Sequence, residues 1–169
     1  MELLIPGLLL VALMVWASTK IKKQAADAFE AEFIEAENYS LQKPDGFLHV
    51  IGDEDHELRA YSKEFGTGDK NGIRRATIEI DLFPGSDLGS VRDAVKTAAA
   101  RSEVTTQSKN IIELNTDEAA TETAVRAFYR IVAAGNQVYR LRFAVLPEYF
   151  EDHRSKIDET LDSFIIKTN

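Results

Sequence analysis

His49, Asp53, Asp55 and His56 crowd one short stretch with groups that could ligate a metal. A divalent site needs three or four such groups converging, with further partners orienting them. Their spacing matches no closed motif and the chain has no cysteine to complete one, so a solvated acidic loop is the expectation. Glu79 and Asp81 stand two residues apart, which on a strand places both carboxylates on one face. Such a pair does acid–base work when an apolar pocket raises one of the two pKa values. Arg75 falls on the same face, so a cross-strand ion-pair ladder explains the two more cheaply. No G-x-S-x-G elbow and no glycine-rich phosphate loop occurs. The chain is therefore expected not to be an enzyme, with no catalytic residue, metal or cofactor assigned.

Arg126, Phe128, Arg130, Arg140 and Arg142 form the most suggestive group. A hairpin over 120–145 is expected to crowd the four arginines onto one outward face, with Phe128 among them. That face suits docking of an acidic protein partner. Equally, the arginine stems could cover apolar surface while Glu79, Asp81, Glu113 or Glu122 neutralise their heads. His153, on the last helix, reads as a packing or surface residue.

The elements that position these residues follow from hydrophobic period. Ala76, Ile78, Ile80 and Leu82 alternate with Thr77, Glu79 and Asp81, predicting a half-buried strand over 73–83 that pairs with 57–65. Residues 34–42 read as a first strand, closed by Lys43-Pro44-Asp45-Gly46. After Pro84-Gly85-Ser86, Asp87 is an N-cap for a helix over 87–102, with Leu88, Val91, Val95, Ala98 and Ala99 on one face. A short strand is expected at 111–114. In the hairpin, Ala134-Gly135-Asn136 supplies the turn. Leu146-Pro147-Glu148 opens a last helix with Phe150, Ile157, Leu161 and Phe164 on its inner face. Strands, helix, strands, helix is the order of an α+β domain, an antiparallel sheet with helices packed on it.

In front of that domain, Leu3 to Thr19 is an uncharged, mostly apolar run including Leu3, Leu8, Leu10, Leu13 and Trp16. As a helix it spans roughly 26 Å, close to the ~30 Å hydrocarbon core of a bilayer. The expected organisation is a transmembrane anchor at 1–19, a juxtamembrane helical stalk at 20–32, and a globular domain at 33–169. Cleavage as a signal peptide is the rival, favoured by the small residues of Val15-Trp16-Ala17 and opposed by Glu2 ahead of the run. Lys20, Lys22 and Lys23 follow the span, so the positive-inside bias puts a single-pass protein of the cell membrane with its domain in the cytoplasm, the periplasm being the alternative.

Charge narrows the partners. The chain has 20 basic and 28 acidic residues and a net charge of −8; without residues 1–23, which hold three lysines and one glutamate, it stands at 17 against 27, or −10. So acidic a domain repels nucleic-acid phosphates, and the expected partners are membrane lipid at the N-terminal helix and a membrane-associated protein.

The stretch Tyr39-Ser40-Leu41-Gln42-Lys43-Pro44-Asp45-Gly46-Phe47 and the closing Ile157, Leu161, Asp162, Ser163 and Phe164 resemble the PsbP-like superfamily. Those domains open with a strand running into a Pro-x-Gly-Phe turn and end with a long hairpin and a helix closing on Ser-Phe. The resemblance covers about 34–167 and implies an α/β/α sandwich with a binding or assembly role. The first expectation is thus a membrane-anchored interaction or accessory domain. The second is a small-molecule or lipid-binding domain with its ligand held between sheet and helices.

Overall fold

The computed structural model describes residues 14–15, 27–120 and 123–167. The expected anchor at 1–19, apart from Met14 and Val15, and the stalk up to residue 26 lie outside the described residues; the rest of the stalk, expected to be helical to 32, turns at 28–30 and enters a strand at Glu32. Among the described residues no helix is long and apolar enough to cross a membrane.

Seven strands make the main antiparallel sheet: β3 (Phe47–Val50), β4 (Leu58–Ser62), β5 (Ala76–Pro84), β6 (Arg101–Gln107), β7 (Ile111–Ala120), β8 (Thr123–Ala134) and β9 (Gln137–Val145), in the spatial order β3-β4-β5-β9-β8-β7-β6. A smaller sheet joins β1 (Glu32–Glu35), β2 (Tyr39–Lys43) and β10 (Ile165–Ile166), with β2 in the middle. Among the described residues the sheet is flanked by two α-helices, α1 (Leu88–Ala98) and α2 (Phe150–Ser163).

The period-two pattern of β5 decides which face is inside. Ala76, Ile78 and Ile80 are buried opposite Val145, Phe143 and Leu141 of β9. With Phe47, Leu58, Tyr39 and Leu41 they form one core, closed by Ile157 of α2 and by Phe164. On the opposite face α1 sets Val91 and Val95 against Ile112, Leu114, Ala127 and Ile131. Asp87 caps α1, accepting from the Ser90 amide at 2.9 Å. The architecture is therefore α+β with a helix on each face of an antiparallel sheet.

Lys43 is the unexpected member of the first core, 1% exposed at the end of β2. Its Nζ donates to the carbonyls of Glu30 and Phe47, pinning the entering chain to β3. Burial pushes this ammonium below the ordinary lysine value. His153 is also buried; its Nδ1 donates to the Tyr149 carbonyl at 2.9 Å and its ring stands edge-on to Phe47.

Three boundaries depart from the sequence reading. The strand expected at 34–42 is a hairpin, β1 and β2, joined through Ala36–Asn38. The helix expected to reach 102 stops at Ala98, and β6 follows at once. The strand expected at 111–114 runs on to Ala120. In each case the segment gains its backbone partners across the sheet; β6 does so with neither face buried, and the end of β7 turns the polar Thr116 and Glu118 inward where apolar residues mark a strand in sequence.

Candidate functional site

The register of the long hairpin separates the five residues expected to share one outward face. A two-residue turn at Gly135–Asn136 pairs Ala134 with Gln137, so every even-numbered residue of β8 lies opposite an odd-numbered one of β9. Directly paired residues point to the same side. Arg126, Phe128 and Arg130 therefore share the α2 face with Val145, Phe143 and Leu141, whereas Arg140 and Arg142 pair with Ile131 and Tyr129 on the α1 face. The expected single arginine cluster is two sites on two faces.

On the α1 face, the part of β4, β5 and β9 not covered by the helix carries a ladder of opposite charges. Arg142 donates to Glu79 at 2.9 Å, to Glu118 at 2.7 Å and to the Tyr129 hydroxyl at 3.1 Å. Glu118 also accepts from Thr116 at 2.9 Å and from the Tyr129 hydroxyl. Arg59 bridges Glu79 at 3.2 Å and Asp53 at 3.3 Å. Arg140 meets Asp81 at 2.7 Å, and the other oxygen of Asp81 lies 2.6 Å from His56 Nδ1. Since Arg59 can only donate, its contact with His56 Nε2 makes that nitrogen the acceptor, and Nδ1–H donates to Asp81.

Burial by itself pushes the Glu118 carboxyl up, but the hydrogen bonds from Arg142, Tyr129 and Thr116 outweigh it and hold the group below the ordinary carboxylate range. Burial, above all, raises the Tyr129 phenol. For Arg142, burial works against the charge and is overcome by Tyr129, Glu118 and Glu79, which hold the guanidinium above its usual value. Glu79 and Asp81 thus sit in a saturated ion-pair ladder, each oxygen facing a donor. His49 lies opposite Ala60 on the other side of the sheet, and no group of three or more potential metal ligands converges among the described residues.

The α2 face carries the other three. Phe128 stacks on Phe150 with ring centres 5.4 Å apart and planes 9° from parallel, and Arg126 sits 4.9 Å above the Phe150 ring. Arg130 pairs with Glu113 at 3.1 Å and donates to the Leu161 carbonyl at the end of α2. Arg126 is only loosely held, 3.6 Å from Asp117 with both side chains well exposed. Arg126, Phe128 and Phe150, with Arg101, Glu103 and Asn115, line an open cleft of about 270 Å³.

That cleft runs beside β6, which sequence reasoning missed. Among the described residues β6 pairs with β7 alone, so its outer edge has no strand partner there, and all its residues but Ser102 are exposed. A bulge at Thr105 interrupts the register, leaving Arg101–Val104 as its longer regular stretch. Arg-Ser-Glu-Val-Thr-Thr-Gln has strand-forming residues but no buried alternation, which is why the periodic helix before it hid its start.

No family model and no curated protein matches the chain. Solved structures match at the level of fold. LpqN, involved in cell envelope biogenesis of Mycobacterium tuberculosis, superposes with a TM-score of 0.54 at 10% identity, over 82% of this chain and 91% of LpqN. Cyanobacterial PsbP (CyanoP) from Synechocystis sp. PCC 6803 does so at 0.50 and 10% identity, over 82% and 94%. A Bacteroides thetaiotaomicron structure gives 0.50 at 13% identity over 78% of this chain; the chain spans 46% of that protein's length. The fold is PsbP-like, as the sequence resemblance implies. At such identities it is the fold alone that is shared.

Proposed function

We propose that this chain is a non-enzymatic, membrane-tethered docking domain that takes an extended segment of a membrane-associated protein along β6. The observation that carries the reading is the uncovered β6 edge beside the Arg126–Phe128–Phe150 cleft. An exposed edge offers a row of backbone donors and acceptors to an added strand, and alternate side chains of that strand fall into an adjoining cleft. The cleft supplies two stacked rings for an apolar side chain and a weakly committed guanidinium for an acidic one. A domain of charge −10 has no use for a nucleic acid partner. The apolar segment Leu3–Thr19 is the tether in this reading, and the lysines after it favour a cytoplasmic domain over a periplasmic one.

The test uses the full chain as bait from detergent-solubilised membranes. Arg126→Glu reverses the charge in the cleft while giving up only a loose, exposed pair. Recovery of the specific protein partner is expected to fall about tenfold or more, the scale of an interface hot spot. Lys96→Glu, on the exposed side of α1, is expected to leave it unchanged. Equal recovery by wild type and Arg126→Glu would show that this cleft is not the docking surface.

A further inference from the structure

The geometry points to a binding site for a small anionic amphiphile, an alkyl phosphate or carboxylate, in a groove on the α1 face at the end of the sheet remote from Gly135. Tyr61, Thr77, Val125, Ala144 and Leu146 line this open groove of about 320 Å³, and its walls are mostly apolar. It adjoins the charged ladder through Arg142, whose own guanidinium is consumed by Glu79 and Glu118.

Two further arginines stand at the groove, Arg74 and Arg75. Arg74 donates through one nitrogen to the carbonyls of Ser62 at 3.1 Å and Lys63 at 2.9 Å, and its guanidinium lies 3.9 Å from the centre of the Phe65 ring. Arg75 donates through Nε to the Phe65 carbonyl at 2.9 Å and lies 4.2 Å from the centre of the Tyr149 ring. Among the described residues neither forms an ion pair, whereas Arg59, Arg130, Arg140 and Arg142 each hold a carboxylate. In a chain of net charge −8 this is a notable use of cations. Carbonyls and rings fix both side chains without neutralising them, so their remaining N–H groups are oriented in advance for an anion.

The loop that carries them is pressed against the groove wall. The Gly66 amide donates to the Ile73 carbonyl at 2.8 Å, and a Cβ on Gly66 would stand 2.8 Å from Lys70 Cβ and 3.1 Å from Leu146 Cδ1. Ile73 keeps 38% of its surface exposed beside Arg74, continuing the apolar lining outward. A volume of this size is at the lower end for ligand pockets, so it holds an anionic head with a short alkyl portion.

The test titrates the full chain, in phosphatidylcholine nanodiscs, with hexyl phosphate, and with hexanol and inorganic phosphate as tail-only and head-only probes. Methyl resonances of Val125, Ala144 and Leu146 report occupancy. Hexyl phosphate is expected to shift them saturably and to bind about tenfold or more tightly than either half. Arg74→Gln/Arg75→Gln is expected to remove that advantage while leaving the weak hexanol shifts. Added salt gives an independent reading on the unaltered chain, weakening hexyl phosphate and sparing hexanol. Equal binding of hexanol and hexyl phosphate would overturn the site, as would salt-insensitive binding or no saturable shift of these methyls.

Discussion

Arg142→Ala is expected to remove about 3–5 kcal/mol of folding stability, the range found when one partner of a buried ion pair is deleted. Its side chain is only 17% exposed and donates to two carboxylates and a phenol. Without it, among the described residues, Glu118, largely buried, keeps only the neutral hydroxyls of Thr116 and Tyr129, and Glu79 keeps the Arg59 guanidinium alone. The loss therefore reflects stranded carboxylates more than one missing attraction. Adding Glu118→Gln to Arg142→Ala should accordingly recover part of it. The pH dependence has a definite sign. Glu118 titrates lower in the folded chain than in the unfolded one, so its contribution is complete above the unfolded value and disappears as pH falls through the folded value. Urea unfolding between neutral pH and about pH 3 should show a flatter acid limb for Glu118→Gln than for the unaltered chain. A loss below about 1 kcal/mol for Arg142→Ala would place the ladder with ordinary surface pairs.

Phe143→Ala is expected to cost a similar amount, about 3–5 kcal/mol, by a different route. Phe143 is fully buried in the core on the α2 face of the sheet, paired in register with Ile78 and Phe128 and edge-on to Phe47 at 5.5 Å. Truncation empties the centre of the first core, and the hairpin strand that bears it cannot collapse into the gap without breaking its pairing on both sides. Against a total stability of about 5–15 kcal/mol this is a large fraction. Phe143→Leu should lose markedly less in the same unfolding measurement. Equal losses for the two variants would mean that volume at this position is not what matters.

How far the sequence carried the fold depends on where burial left its mark. Ala76, Ile78, Ile80 and Leu82 alternate because one face of β5 is covered, and that strand, its partner β4, both helices and the long hairpin were legible. β6 was not, since neither of its faces is buried and composition alone could not separate it from the end of α1. The arginines were legible as important but misplaced. Alternation within a strand fixes which residues share a face, while the parity of the turn fixes how two strands combine, and one residue at Gly135–Asn136 exchanges the faces. The pairing of Arg140 with Asp81, Arg142 with Glu79 and Arg130 with Glu113 was foreseeable as neutralisation, and it holds on the two separate faces. Lys43 as a buried clip had no local signal, because its partners are backbone carbonyls at Glu30 and Phe47. For the groove, the only hint was two adjacent arginines, Arg74 and Arg75, opening a strand in an acidic chain.

The docking account meets its most direct test in photo-crosslinking from the edge itself. A photoreactive residue replacing Val104 of the full chain, activated in native membranes, is expected to give a discrete protein adduct that Arg126→Glu abolishes. Adducts unaffected by Arg126→Glu, or none but lipid, would contradict it.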